Sequence, residues 1–267
     1  MRISSFFRGC TSRWRGGRRV PEPPVCVLHI MKTAGTSLRA ILEDDIGSGS
    51  VYPNARDLAR REHGWYPSAQ EVLASLPATR RHQILIGHFP AAILDHLPAG
   101  YRGAVVLRDP VQRTLSALAH VARIRGSTPA RLVEDEQVIG RLVRDYQTKI
   151  LGCDGIDQPN HHDRVDDATL DRALRRVDDL AFVGITERFR DSCRLFDHVF
   201  GTTTQRFDRQ ENVLRSRGTE HAELVPLILP HIRRDMVLYE HATRRFADDV
   251  ARLGLERPVL HEMRRGA

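Results

Sequence analysis

Four short apolar runs interrupt a chain otherwise dense in arginine and acid. Residues 25–30 read Val-Cys-Val-Leu-His-Ile, 83–87 read Gln-Ile-Leu-Ile-Gly, 102–108 read Arg-Gly-Ala-Val-Val-Leu-Arg, and 181–185 read Ala-Phe-Val-Gly-Ile. Each run is rich in β-prone residues, is nearly continuous rather than alternating, and is too short for a helix. That pattern predicts strands covered on both faces, as in a parallel sheet. Between the runs the apolar spacing turns helical. Leu38-Arg-Ala-Ile-Leu42 predicts a helix directly after the first strand, and Ser68-Ala-Gln-Glu71 has the form of a capping box opening a short helix through Leu76. Asp109 as N-cap and Pro110 at the first helical position start another.

Residues 129–180 predict helices with a polar break at 152–167, and a further helix begins at Thr186 and runs to about Phe200. A last helix over 233–252 would align Met236, Tyr239, Phe246, Val250 and Leu253 on one stripe, with Gly254 as its stop. Strands alternating with helices predict an α/β fold with a mainly parallel central sheet flanked by helices. Residues 1–24 carry six arginines against one acid, Glu22, and end in Pro-Glu-Pro-Pro, which predicts a flexible basic arm. One folded domain over 25–255 and a tail at 256–267 complete the expected organisation.

Composition narrows the class. At 267 residues, 41% hydrophobic and 28% charged, the chain resembles a soluble enzyme that can bury a substantial core. No apolar run approaches the roughly 18–20 residues of a membrane span. Arg8, Arg13 and Arg15 break up any export signal near the N-terminus, so a cytoplasmic setting is expected. Cys10, Cys26, Cys153 and Cys193 are far apart and have no metal-binding spacing, which predicts reduced thiols. The formal charge of +7 invites a nucleic-acid partner, but aromatic content of 6% and the absence of a recognised module argue against one. Of 41 basic residues, all but Lys32 and Lys149 are arginine. Where arginine is the habitual cation, Lys32 marks a place suited to a compact point charge.

Ligands of open α/β sheets bind beyond the carboxyl ends of the strands. Three of the four expected strand ends carry Lys32, His88 and Arg108. The loop Lys32-Thr-Ala-Gly-Thr-Ser37 combines small residues, hydroxyls and a cation ahead of a helix N-terminus, the makings of an anion site. It is not a Walker A loop, because its glycine follows the lysine. Arg108-Asp-Pro-Val-Gln-Arg-Thr-Leu-Ser116 offers an arginine at a strand end, with Arg113 and Ser116 able to share a helix face; Arg108 could equally pair with Asp109. His88 can take a proton from a hydroxyl near neutrality. His29 is expected as a hydrogen-bonded core residue. His161-His162-Asp163 lacks ligand spacing, and no metal is expected.

Together these stretches resemble the sulfotransferases that use 3′-phosphoadenosine-5′-phosphosulfate (PAPS), in particular the branch of carbohydrate and heparan uronyl 2-O-sulfotransferases and their bacterial relatives. His29-Ile-Met-Lys-Thr-Ala-Gly-Thr-Ser-Leu38 is similar to the family's 5′-phosphosulfate loop, with Met31 where the family usually has proline. Arg108–Ser116 resembles its 3′-phosphate motif, and Ile86-Gly-His-Phe89 its catalytic-histidine segment. Tyr146-Gln-Thr-Lys-Ile-Leu-Gly152 and Val183-Gly-Ile-Thr-Glu-Arg-Phe189 match two further stretches in the expected order, so the resemblance spans about 25–245. It implies a P-loop-like sulfotransferase fold. Lys32, Thr33, Ala34, Gly35, Thr36 and Ser37 would surround the phosphosulfate, and Arg108 and Ser116 would hold the 3′ phosphate. Arg215 and Ser216 are the candidates on the adenine side.

Lys32 and His88 would be catalytic, the product nucleotide would be adenosine 3′,5′-bisphosphate, and no metal would be required. The acceptor pocket would be built on loops 43–82 and 152–167 and would take a hydroxylated sugar or small molecule. Two other readings compete. A nucleotide kinase or hydrolase would need a magnesium-binding acid, for which Asp109 is the candidate. A non-enzymatic basic protein binding nucleic acid would rest on charge alone.

Overall fold

Valine, isoleucine and leucine fill the expected strands because each must bury both faces. The computed structural model, which describes residues 11–15, 18–79, 82–157, 164–202 and 221–255, covers them accordingly. In chain order the strands are β1 (Thr11–Arg15), β2 (Arg18–Glu22), β3 (Val25–Leu28), β4 (Val51–Tyr52), β5 (Ile84–Gly87), β6 (Arg102–Leu107) and β7 (Phe182–Ile185). Every residue of β3, β5 and β7 is buried. β1 and β2 form a separate antiparallel pair, within a stretch where the sequence pattern predicted no regular element. The other five form one sheet, all parallel, in the order β4-β5-β3-β6-β7. Val27 of β3 stands opposite Ile86 of β5 and Ala104 of β6.

Among the described residues the helices of seven or more residues are α1 (Gly35–Ile46), α2 (Ala69–Thr79), α3 (Pro110–Arg125), α4 (Tyr146–Gly152), α5 (Asp167–Asp179), α6 (Phe189–Phe200) and α7 (Arg233–Arg252). The expected start signals are realised. Ser68 N–H donates to the Glu71 carboxylate at 2.7 Å and Glu71 N–H donates to Ser68 Oγ at 3.2 Å, the reciprocal bonds of a capping box. The Asp109 carboxylate accepts from Gln112 N–H at 2.9 Å and so opens α3 behind Pro110.

The stripe of α7 differs from expectation. Its buried residues are Asp235, Leu238, Ala242, Phe246 and Val250, whereas Met236 is 40% exposed. Asp235 turns inward to cap α4, accepting from Gln147 N–H at 3.1 Å, Thr148 N–H at 2.7 Å and the Thr148 hydroxyl at 2.8 Å. Asp145 returns the bond, accepting from the N–H groups of Arg234 and Asp235 at 2.8 and 3.1 Å. Each helix N-terminus is thus closed by an acid lying just ahead of or inside the other, which rotates α7 so that an aspartate, not a methionine, faces the interior.

The main core fills the sheet faces, and a second cluster joins Leu115 and Leu118 of α3 to Val138, Ile139, Leu224 and Ile228. Cys26 and Cys193 are buried free thiols. Among the described residues no helix is long and apolar enough to cross a membrane.

Strand order places the site. After β3 the chain moves toward β4 at one edge, and after β6 it moves toward β7 at the other. The carboxyl ends of adjacent β3 and β6 therefore bracket the point where chain direction reverses, the usual ligand crevice of such sheets.

Candidate functional site

The loop after β3 holds a conformation that ordinary side chains avoid. Lys32 has φ 70° and Ala34 has φ 66°, both in the left-handed region at non-glycine residues. Each costs on the order of 1–3 kcal/mol, and such strain concentrates at ligand sites. No side chain caps α1 behind the loop. Gly35, Thr36 and Ser37 occupy the uncapped first turn, where helical geometry leaves N–H groups without intrahelical partners.

Four bonds brace the loop. Thr33 is buried, and both its N–H and its hydroxyl turn back to the Ile30 carbonyl, the latter at 2.9 Å. Its hydroxyl is therefore spent on the turn. Arg113, expected on a shared face with Ser116, is wholly buried; its Nε donates to the Met31 carbonyl at 3.2 Å and its guanidinium lies 4.0 Å from the Tyr146 ring centroid. Arg108 Nη1 donates to the Lys32 carbonyl at 3.2 Å. These arginines hold the loop at Met31 and Lys32, and the Arg108 bond joins the loop after β3 directly to the end of β6.

Arg108 follows β6 immediately and is half-buried. Its nearest acid is Glu187, at 3.8 Å from Nε, rather than Asp109, whose side chain is engaged as the cap of α3. Glu187 is itself held by Asp109 N–H at 3.1 Å and the Tyr239 hydroxyl at 2.8 Å. Arg108 Nε is buried without a hydrogen-bond acceptor among the described residues, an unsatisfied donor at a strand end. Ser116 is half-buried on α3. One turn further along α3, burial and then the Lys32 charge lower the His120 pKa.

His88 follows β5, on the other side of β3. Its Nδ1 lies 2.6 Å from the His29 carbonyl oxygen, which can only accept; Nδ1 therefore carries the proton and the Nε2 lone pair is left available. Burial lowers the His88 pKa, the His29 bond raises it in part, and Arg39 lowers it again, so the neutral imidazole predominates at neutral pH. The His29 side chain is buried as expected, but its Nδ1 has no hydrogen-bond partner among the described residues. The ring lies instead 4.4 Å from that of His88 and 5.3 Å from Tyr66. It also presses on Gly35, where any Cβ would fall 1.9 Å from the imidazole. Glycine is required there by close approach.

Beside His88 opens a cleft of about 1300 Å³ whose walls include Met31, Tyr66, Trp65, Arg141 and Tyr146. Trp65 is 71% exposed at this cleft. Tyr66 packs against His88 at 4.6 Å, and its hydroxyl is buried without a partner among the described residues. Trp65 and Tyr66 fall within the 43–82 loop expected to build the acceptor pocket but were not named individually, and Gln147 entered only as part of the 146–152 stretch; aromatics in a loop carry no periodic signal. Arg215, Ser216 and His161-His162-Asp163 lie outside the described residues.

No protein-family model matches the chain, and no curated protein matches it.

Proposed function

We propose that this protein is a sulfotransferase of P-loop-like fold that moves a sulfuryl group from PAPS to a hydroxyl of a sugar or small-molecule acceptor. One observation carries the reading. The ends of three neighbouring strands, β5, β3 and β6, present in order a histidine with its Nε2 lone pair available, a strained loop with a lysine ahead of an uncapped helix, and an arginine with an unsatisfied buried donor.

PAPS would supply an activated sulfuryl group. The Lys32 ammonium and the first-turn N–H groups of α1 favour negative charge on the departing 5′-phosphate oxygen as the sulfur–oxygen bond breaks. His88 Nε2 takes the proton from the acceptor hydroxyl as its oxygen bonds to sulfur. Arg108 and Ser116 hold the 3′ phosphate through charge-assisted hydrogen bonds, and the cleft beside His88 gives the acceptor room. Free thiols at Cys26 and Cys193 fit a reducing, cytoplasmic setting.

The test is incubation with sulfur-labelled PAPS and a panel of hydroxylated acceptors, with calorimetry of nucleotide binding alongside. Label transfer together with preference for adenosine 3′,5′-bisphosphate over AMP and ATP is the expected result. Equal affinity for AMP and the bisphosphate would overturn the reading.

A further inference from the structure

The segment Tyr146-Gln-Thr-Lys-Ile-Leu-Gly152 has no part in the chemistry above, yet its second residue reaches the site. The parallel ladder of β6 ends at Leu107, opposite Ile185. Beyond that point the main chain needs other partners. The Thr186 hydroxyl donates to the Leu107 carbonyl at 3.0 Å. At Arg108 the side-chain amide of Gln147 does what a neighbouring strand would do. Its Nε2 donates to the Arg108 carbonyl at 2.9 Å, and its Oε1 accepts from Arg108 N–H at 3.1 Å.

Gln147 is wholly buried, and its own N–H is fixed by the Asp235 carboxylate at 3.1 Å. The bonds therefore run from α7 through the start of α4 to the backbone of Arg108. From there the guanidinium continues to the Lys32 carbonyl at 3.2 Å, with Glu187 at 3.8 Å from its Nε. We propose that Gln147 is a positioning residue that sets nucleotide selectivity by aiming Arg108 at the 3′ phosphate. This rests on the reading of Arg108 given under the proposed function. The Gln147 amide meets both needs at Arg108, carrying a donor and an acceptor on one planar group. A carboxylate would keep the acceptor but set its charge against the Arg108 carbonyl, and methionine of similar length would supply neither bond.

The experiment compares wild type, Gln147→Glu and Gln147→Met by calorimetry, with adenosine 3′,5′-bisphosphate and AMP as the two probes. Both variants are expected to bind the bisphosphate about tenfold or more weakly, because a displaced arginine loses charge-assisted bonds to the phosphate. Affinity for AMP should stay within about twofold, since the ligand lacks the group Arg108 would hold. The readout is the ratio of the two affinities, which a loss of general stability does not change. If the methionine variant fails to fold, the nearly isosteric glutamate variant decides. Selectivity retained in a folded variant, or equal loss for both ligands, overturns the inference alone. A wild type that does not discriminate overturns the function reading as well.

Discussion

The carbonyl oxygen of His29 accepts the Nδ1 proton of His88 at 2.6 Å. The bond fixes the tautomer, so the proton-accepting nitrogen is Nε2. His88→Ala is expected to lower turnover by about 10²–10⁴ while leaving the bisphosphate affinity near that of wild type, because a base contributes to proton removal and not to phosphate binding. With its pKa lowered by burial from 6.5, His88 should impose an acid limb on kcat/KM with a midpoint below that value. A limb at or above 6.5, or nucleotide binding lost along with activity, would contradict the assignment.

Lys32→Ala should reduce transfer by about 10²–10³, the usual cost of removing one preorganised group from a developing charge. Lys32→Arg tests geometry as well as charge. A planar fork on a strained φ of 70° has no ready way to reproduce a compact ammonium, so little rescue is expected. Single-turnover rates measure both, and a Lys32→Ala enzyme with more than half its turnover would remove Lys32 from the chemistry.

Gly35→Ala is the sharpest test of the link between the loop after β3 and the proposed base, His88. The new Cβ would fall 1.9 Å from the His29 ring, and that ring lies 4.4 Å from His88. Either the loop or both imidazoles must move. The expected cost is about 1–3 kcal/mol in denaturant unfolding, as for overpacking elsewhere, with turnover reduced more than the bisphosphate affinity. A variant of wild-type stability would show that the loop yields freely.

The sheet was legible because burial on both faces demands continuous β-prone runs, and Val25–Leu28, Ile84–Gly87 and Phe182–Ile185 have that composition. Caps at Ser68 and Asp109 were legible because their chemistry is local. β4 escaped because two residues, Val51 and Tyr52, are too few to show a pattern. Met236 was misplaced on the α7 stripe because periodicity weighs an apolar residue above an aspartate, whereas Asp235 is drawn inward by N–H groups of another helix. For the same reason the strand-end trio of Lys32, His88 and Arg108 was legible while Tyr66 and Gln147 were not. Their roles come from partners distant in sequence, His88 for the one and Arg108 for the other.

His29 also predicts how stability responds to acid. Burial, then His88, Arg39 and Lys32, hold its pKa well below 6.5 in the fold. The unfolded chain therefore binds more protons in the window below 6.5, and stability is lost as pH falls through it, with a slope of at most about 1.4 kcal/mol per pH unit from this residue. Asp235 opposes this effect. Burial pushes its pKa up to about 6 from 3.8, so its contribution declines as pH rises between those values. The difference between wild type and His29→Phe in urea unfolding from pH 7.5 to 5 isolates the histidine, because Asp235 is common to both. Wild type should lose stability more steeply; parallel curves would mean that His29 does not titrate in this window.

Nucleotide choice tests the whole arrangement. ATP and AMP carry a free 3′ hydroxyl, whereas Arg108 offers a guanidinium whose Nε is buried and unsatisfied among the described residues. Leaving such a donor unmet is costly, and a phosphate beside it would meet the need. Charge-assisted bonds contribute roughly 1.5–3 kcal/mol each, so a ligand lacking the 3′ phosphate should bind weaker by one to two orders of magnitude. Arg108→Ala should therefore abolish most of the preference for the bisphosphate while changing AMP affinity little. Its effect on the loop supplies an internal control. The same side chain donates to the Lys32 carbonyl at 3.2 Å, so if loop support were its main role, AMP and the bisphosphate would weaken together through their common 5′ phosphate. Calorimetry of the three nucleotides against wild type and Arg108→Ala separates the two outcomes, and a common loss would make Arg108 a brace for the loop and remove it from the 3′-phosphate site.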